Sequence, residues 1–307
     1  MNPINRPLQA GGKAEEPLII DVHTHPIFYK AISEDKEVLN YRKEQFGIFK
    51  QSPSPLESVL QEMDYNGIDR SILLPLDLTT QSGGWIVTNE DVKQIVDLAP
   101  DRFIGFASVD PHRSDAAGVL EYAFRELGLK GLKLNPSKQK FYPQDDFMKP
   151  LYELCVKYNR PILFHAGMSW EPDAPAKYSQ PLHFEEVAIA YPDLRMCLAH
   201  FGWPWVHDTV MLLLKYPNVF TDTSLLHMDN ALDFYKQVFK TNMGPLWIER
   251  NLNDKVMFGT NSPRFKAKRL LPALKAMDFR PKTLEKILGG NAQVFLGERG
   301  NDRPWLN

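Results

Sequence analysis

From residue 18 onward, short apolar runs bounded by turn residues alternate with longer stretches in which apolar positions recur every three to four residues. That alternation predicts repeated strand–helix units around a parallel sheet. Strands are expected at 18–21, 70–75, 103–109, 131–134, 161–165, 196–200, 219–222 and 256–260. Eight is the number that closes a (β/α)8, or TIM, barrel. Helical periodicity marks 56–65, 116–127, 151–158, 206–216 and 267–277, with a last helix at 283–288 closed by Gly289 and Gly290. A loop-rich insertion, 26–55, follows the first strand. No shift in composition marks a linker. The expectation is therefore a single barrel domain over 18–300, preceded by a polar, flexible segment over 1–17 and carrying a lid-like insertion at 26–55.

Composition sharpens this picture in three respects. With 43% hydrophobic and 24% charged residues in 307, the chain has material for a large core, and disorder is not the expectation. The 36 Lys plus Arg nearly balance the 38 Asp plus Glu, and no block of like charge stands out. A nucleic-acid surface and a polybasic membrane anchor are thereby disfavoured, leaving a small molecule as the expected substrate partner and homo-oligomerisation open. Cys155 and Cys197 lie in apolar segments and form no CxxC pair, so no disulfide framework is expected. The N-terminus lacks the apolar run of a signal peptide, and no stretch approaches the ~20 apolar residues of a membrane span, which points to the cytoplasm.

The candidate chemistry begins with His23-Thr24-His25 at the end of an apolar strand. Alternate residues of a strand share a face, so two imidazoles at this spacing can chelate one ion. His165 and His200 also stand at strand ends, after PILF and MCLA. Strand ends converge on one face of a barrel, so four of the chain's 8 histidines are directed to one place. One divalent metal ion is the implied cofactor, zinc first, with manganese or iron as alternatives.

The ordered motifs DVHTH, IGFASVDP, GLKLNP, LFHAG, LAHFGWPW, FGTNSP and ILGGNAQVF, spanning Leu18 to Leu296, resemble the amidohydrolase-related family that contains the aminocarboxymuconate semialdehyde decarboxylase type enzymes. The resemblance implies a mononuclear metal held by His23, His25, His165 and an eighth-strand carboxylate, with His200 polarising the substrate or shuttling a proton. Here the chain departs from the pattern. Where the family usually has Asp, this sequence has Asn261, whose amide oxygen can ligate a hard ion but carries no charge and cannot accept a proton as a carboxylate does. A natural subfamily with its base elsewhere and an engineered Asp→Asn replacement both fit.

Further candidates surround this set. Lys133, within the fourth strand, is read either as a barrel Lys paired with a carboxylate, as a site of carbamylation, or as a substrate-binding cation. Arg264 stands where a loop reaches the barrel mouth and can grip a carboxylate bidentately; the alternative is a solvated loop Arg. Trp203 and Trp205 after His200 either wall the pocket or pack at a helix start. The insertion, with Phe28, Tyr29, Tyr41, Phe46 and Phe49, and the loop over 167–181, with Trp170 and Tyr178, are candidates for a substrate-determining lid. His112 stands near a strand end, whereas His183, His207 and His227 fall in helix or loop contexts suited to caps or surface.

Three functions follow in order. The first is hydrolysis of a small amide, ester or lactone by metal-activated water with help from His200. The second is nonoxidative decarboxylation of an aromatic or unsaturated carboxylic acid. The third, motivated by Asn261, is a ligand-binding or weakened barrel.

Overall fold

In the computed structural model, residues 17–224 and 230–300 are described. The expected strand–helix alternation closes into a parallel barrel. Its strands are β1 (Ile20–Thr24), β2 (Arg70–Leu73), β3 (in two segments, Phe103–Gly105 and Ala107–Ser108), β4 (Leu132–Leu134), β5 (Ile162–Phe164), β6 (Met196–Leu198), β7 (Val219–Asp222) and β8 (Val256–Met257). Each pairs in parallel with its sequence neighbour. The ring is closed by Val22 N donating to Phe258 O at 3.0 Å and Asn261 N donating to His23 O at 2.9 Å.

The break in β3 has a packing cause. Phe106 points into the barrel, and its ring lies where a Cβ on residue 131 would come within 2.5 Å, so only Gly131 can start the fourth unit. Phe106 joins an inner core of Ile20, Val22, Ile72, Leu163, Cys197, Phe220 and Met257, plugged by Ala292 and Phe295 of the terminal helix Asn291–Leu296. The larger apolar layer lies between strands and helices.

Elements the sequence left unmarked include the helix Lys36–Phe46 inside the insertion, capped by Asp35 and ended by left-handed Gly47. The helix Asn89–Leu98 begins with a Thr88–Asp91 capping box. An antiparallel hairpin, Leu76–Leu78 with Gly84–Val87, follows β2. The last helix begins earlier than expected, at Pro281, and runs on through a π-turn at Lys286–Gly290. Among the described residues no helix is long and apolar enough to cross a membrane. His227 and residues 1–16 of the expected N-terminal segment lie outside the described residues.

One irregularity positions the site. Along β1 the register advances from Asp21 to Thr24 while β2 advances only from Ser71 to Leu73, a β-bulge of one extra residue. Strict alternation from the inward Ile20 and Val22 would carry Thr24 inward and turn His23 and His25 away. The extra residue reverses that parity, and both imidazoles reach the mouth of the barrel.

Candidate metal centre

A pocket of about 50 Å³ opens at the C-terminal ends of the strands and is lined by His23, His25, His165, His200, Asn261 and Lys133 on its floor. Phe46, Trp170, Lys138, Glu171 and Arg264 form the mouth.

Hydrogen bonds on the far side of each imidazole determine where its proton sits. His25 Nδ1 lies 3.1 Å from Leu74 O, a carbonyl that can only accept, so Nδ1 carries the hydrogen and Nε2 a lone pair. His23 Nδ1 donates to Asp222 Oδ2 at 2.8 Å, which likewise leaves a lone pair on Nε2. His165 Nε2 lies 3.2 Å from Met168 O, so its lone pair is on Nδ1. Ser224 Oγ donates to Asp222 Oδ1 at 2.5 Å and therefore accepts from His200 Nδ1 at 2.8 Å. His200 Nε2 thus also bears a lone pair, and it faces His165 Nδ1 at 3.2 Å.

Two nitrogen lone pairs at that distance repel unless a cation stands between or before them. Protonation is a poor remedy in this place. Burial, helped by the nearby Lys133 charge, pushes His165 down to about 3. Burial likewise holds His23, His25 and His200 well below the ordinary imidazole range. A divalent metal accepts several neutral imidazoles without a proton, so these residues fit one.

Asp222 is the residue the sequence reading missed. Its carboxylate accepts from Ser224 Oγ, His200 N at 2.9 Å and Ser224 N at 3.1 Å on Oδ1, and from His23 Nδ1 on Oδ2. His23, His200 and Asp222 offer donor atoms within 4.8 Å of one another, yet Asp222 does not line the pocket. It stands behind His23 and orients the ring, the arrangement common to metal-bound histidines. A signal was available: Asp222 ends the strand VFTD just as His165 and His200 follow theirs.

Local backbone geometry serves the same end. His200, Phe201 and Gly202 take left-handed conformations in succession, with φ of 60°, 52° and 59°, and this turn swings His200 over the barrel axis. Asn261 is also left-handed at φ 63°, a conformation Asn tolerates better than most residues.

Other candidates are placed as follows. Lys133 is buried, and among the described residues its Nζ has no hydrogen-bond partner; burial lowers it to about 8. Arg264 lines the pocket while donating to Phe46 O at 2.6 Å, and Trp170 lines it while half exposed. Trp203 is not part of the lining; its carbonyl holds Met168 N at 2.8 Å. His112 turns to Gln139 O at 2.9 Å, His183 approaches Gln144 at 3.4 Å, and His207 lies exposed beside Asn242 O, all outside the pocket.

Comparison with known proteins agrees with the barrel fold. A 2-amino-3-carboxymuconate-6-semialdehyde decarboxylase of Dictyostelium discoideum is 26% identical over 247 residues, covering 68% of this chain and 65% of the relative, so the match spans under two thirds of that protein's length. An uncharacterised TIM-barrel protein of Bordetella bronchiseptica superposes with a TM-score of 0.68 at 24% identity, covering 92% of this chain and 99% of its own. A 5-carboxyvanillate decarboxylase of Novosphingobium aromaticivorans, complexed with manganese and 4-hydroxy-3-methoxy-5-nitrobenzoic acid, superposes with a TM-score of 0.61 at 22% identity, covering 96% and 100%. The family model described as amidohydrolase matches residues 20–297, nearly the whole described barrel, and the chain belongs to the amidohydrolase family.

Proposed function

We propose that this enzyme is a metal-dependent, nonoxidative decarboxylase of an aromatic or unsaturated carboxylic acid. Hydrolysis stood first on the sequence alone; named decarboxylases among the relatives and the charge of the pocket reverse that order. The observation that carries the reading is the company the four imidazoles keep. Lys133, Lys138 and Arg264 line the same pocket, and among its described lining residues the single carboxylate, Glu171, lies 3.2 Å from Lys138 and 3.9 Å from Arg264. A pocket whose described lining carries excess positive charge is suited to receiving an acid.

A divalent metal bound by His23, His25 and His165, with the Asn261 amide at the same rim, would act as a Lewis acid toward the substrate oxygens. In the reaction, the bond between carbon and carboxylate breaks and CO₂ leaves. The electron pair remains on the carbon, which takes one proton. His200 is the residue suited to carry that proton at Nε2, because the Ser224–Asp222 chain behind Nδ1 stabilises the transient imidazolium. Phe46 packs edge-on to His25 at 4.9 Å and, with Trp170 and Leu76, gives the pocket flat apolar walls that exclude water from the carbanion.

The test is product analysis of the purified chain loaded with manganese or zinc. Release of CO₂ from 2,6-dihydroxybenzoate, 5-carboxyvanillate or an aminocarboxymuconate semialdehyde supports the reading. Hydrolysis of lactones or amides without CO₂ would overturn it, and metal binding with no turnover in either panel would favour a ligand-binding barrel.

A further inference from the structure

The histidine pocket is smaller than the ligand its chemistry calls for. A cavity of about 150 Å³ admits one benzene ring, whereas the space before the imidazoles is about 50 Å³. It holds water or an ion but no ring. An acid built on a ring must therefore displace part of the mouth before it reaches the histidines.

Two segments close that mouth. One is the last turn of the insertion helix Lys36–Phe46, which lays Phe46 against His25; the other is the loop after β5, which supplies Trp170 and Glu171. The body of the helix is pinned by Arg42, which donates to Ile86 O at 2.5 Å and to Asp91 Oδ2 at 2.8 Å. Its end is pinned differently. The last carbonyls of a helix have no partner within it and carry the negative end of its dipole. Here Lys138 Nζ donates to Gln45 O and Arg264 Nη2 to Phe46 O, each at 2.6 Å. Glu171 Oε1 bridges the same two cations, 3.2 Å from Lys138 and 3.9 Å from Arg264. Lys138 follows β4 and Arg264 follows β8, so they approach from opposite sides of the ring. The cations that attract an acid to this pocket are the ones that hold it shut.

We propose that the end of the insertion helix and the Trp170–Glu171 loop form a latch over the histidine pocket, and that a carboxylate ligand opens it by drawing Lys138 and Arg264 away from Gln45 O, Phe46 O and Glu171. The latch lies in the pocket of the decarboxylase reading and rests on that reading only for the charge of the ligand. Exchange of one set of oxygens for another keeps both cations satisfied, so an anion opens the mouth at far lower cost than a neutral molecule of the same shape. Because Arg42 holds the body of the helix, the contacts that break are those of its last turn.

Amide hydrogen exchange on the full-length, manganese-loaded protein tests this, with benzoate and its neutral counterpart benzamide as probes. The N–H groups of Gly47 and Ile48 close the helix end on Glu44 O and Lys43 O. Saturating benzoate is expected to speed exchange at these two amides by about fivefold or more, and benzamide to leave it unchanged. The sign is diagnostic, because a ligand that merely fills a pocket stabilises its rim and slows exchange there. Glu171→Gln keeps the size of the side chain but removes the charge that competes with the ligand. It is expected to raise the association rate of benzoate about threefold or more, read by stopped-flow tryptophan fluorescence, with its melting temperature reporting that it folds. Slowed or unchanged exchange at Gly47 and Ile48 with benzoate bound overturns the proposal, as does benzamide speeding it equally. So does an unchanged association rate in Glu171→Gln, or benzoate that binds neither protein. Opening by benzoate without CO₂ release from any acid would sink the decarboxylase reading and leave the latch standing.

Discussion

His165 and His200 meet across the barrel mouth with Nδ1 and Nε2 3.2 Å apart, and the hydrogen bonds behind both rings leave neither nitrogen a proton to share. Metal-free protein therefore holds two opposed lone pairs. Titration with manganese or zinc is expected to show one ion per chain and a rise in melting temperature. His165→Ala is expected to lose the ion, which elemental analysis would read directly.

Asp222 acts on that centre through His23. Asp222→Asn keeps the size of the side chain but removes the charge that fixes the ring's tautomer. Metal affinity is expected to fall about 10- to 100-fold, measured by competition with a chelator. An unchanged affinity would deny Asp222 its orienting role.

The same burial makes the metal-free fold acid-sensitive. His165 has its pKa lowered from 6.5 to about 3, so between those values the unfolded chain binds a proton that the folded one refuses. Stability is lost as pH falls from about 6.5 toward 3. His23, His25 and His200 shift in the same direction and add to the loss. Asp21, raised from 3.8 to about 6 by burial, works the other way, since the folded state binds the extra proton between those values. Asp77 is raised by burial in the same direction as Asp21, and four histidines against two carboxyls set the net sign. Denaturant unfolding at pH 7 and pH 5 is expected to show a lower midpoint at pH 5, and His165→Gln a smaller drop.

Behind the site, the loops after β5 and β6 cross at Gly167. A Cβ there would meet Trp203 O at 2.2 Å and Gly202 C at 2.6 Å, and the residue is left-handed at φ 84°. Gly167→Ala is expected to cost about 2 kcal/mol or more, read by thermal unfolding, because backbone on both sides must move.

Much of this architecture is legible in the order of residues. Apolar runs at regular intervals mark eight strands, and the residues that end them, His165, His200 and Asp222 among them, are directed to one face by barrel geometry alone. The insertion helix Lys36–Phe46 was hidden by its weak amphipathic pattern, since it buries only Arg42 and Phe46. The hairpin after β2 was hidden because its strands, Leu76–Leu78 and Gly84–Val87, are too short for an alternating pattern to declare itself.

What the sequence determined by itself is the periodic pattern, because burying alternating apolar segments leaves few closed arrangements. Its residue types also supplied imidazoles, with the Asp222 carboxylate beside them, at the strand ends. Only the tertiary structure decided which way those imidazoles point and which nitrogens hold their protons. Both depend on contacts between residues distant in the chain: the β1 bulge is defined against β2, and the tautomers of His23 and His200 are set by Asp222 and Ser224 at the end of β7. Periodicity is a local property of a chain. Hydrogen-bond partnership across a closed barrel is not.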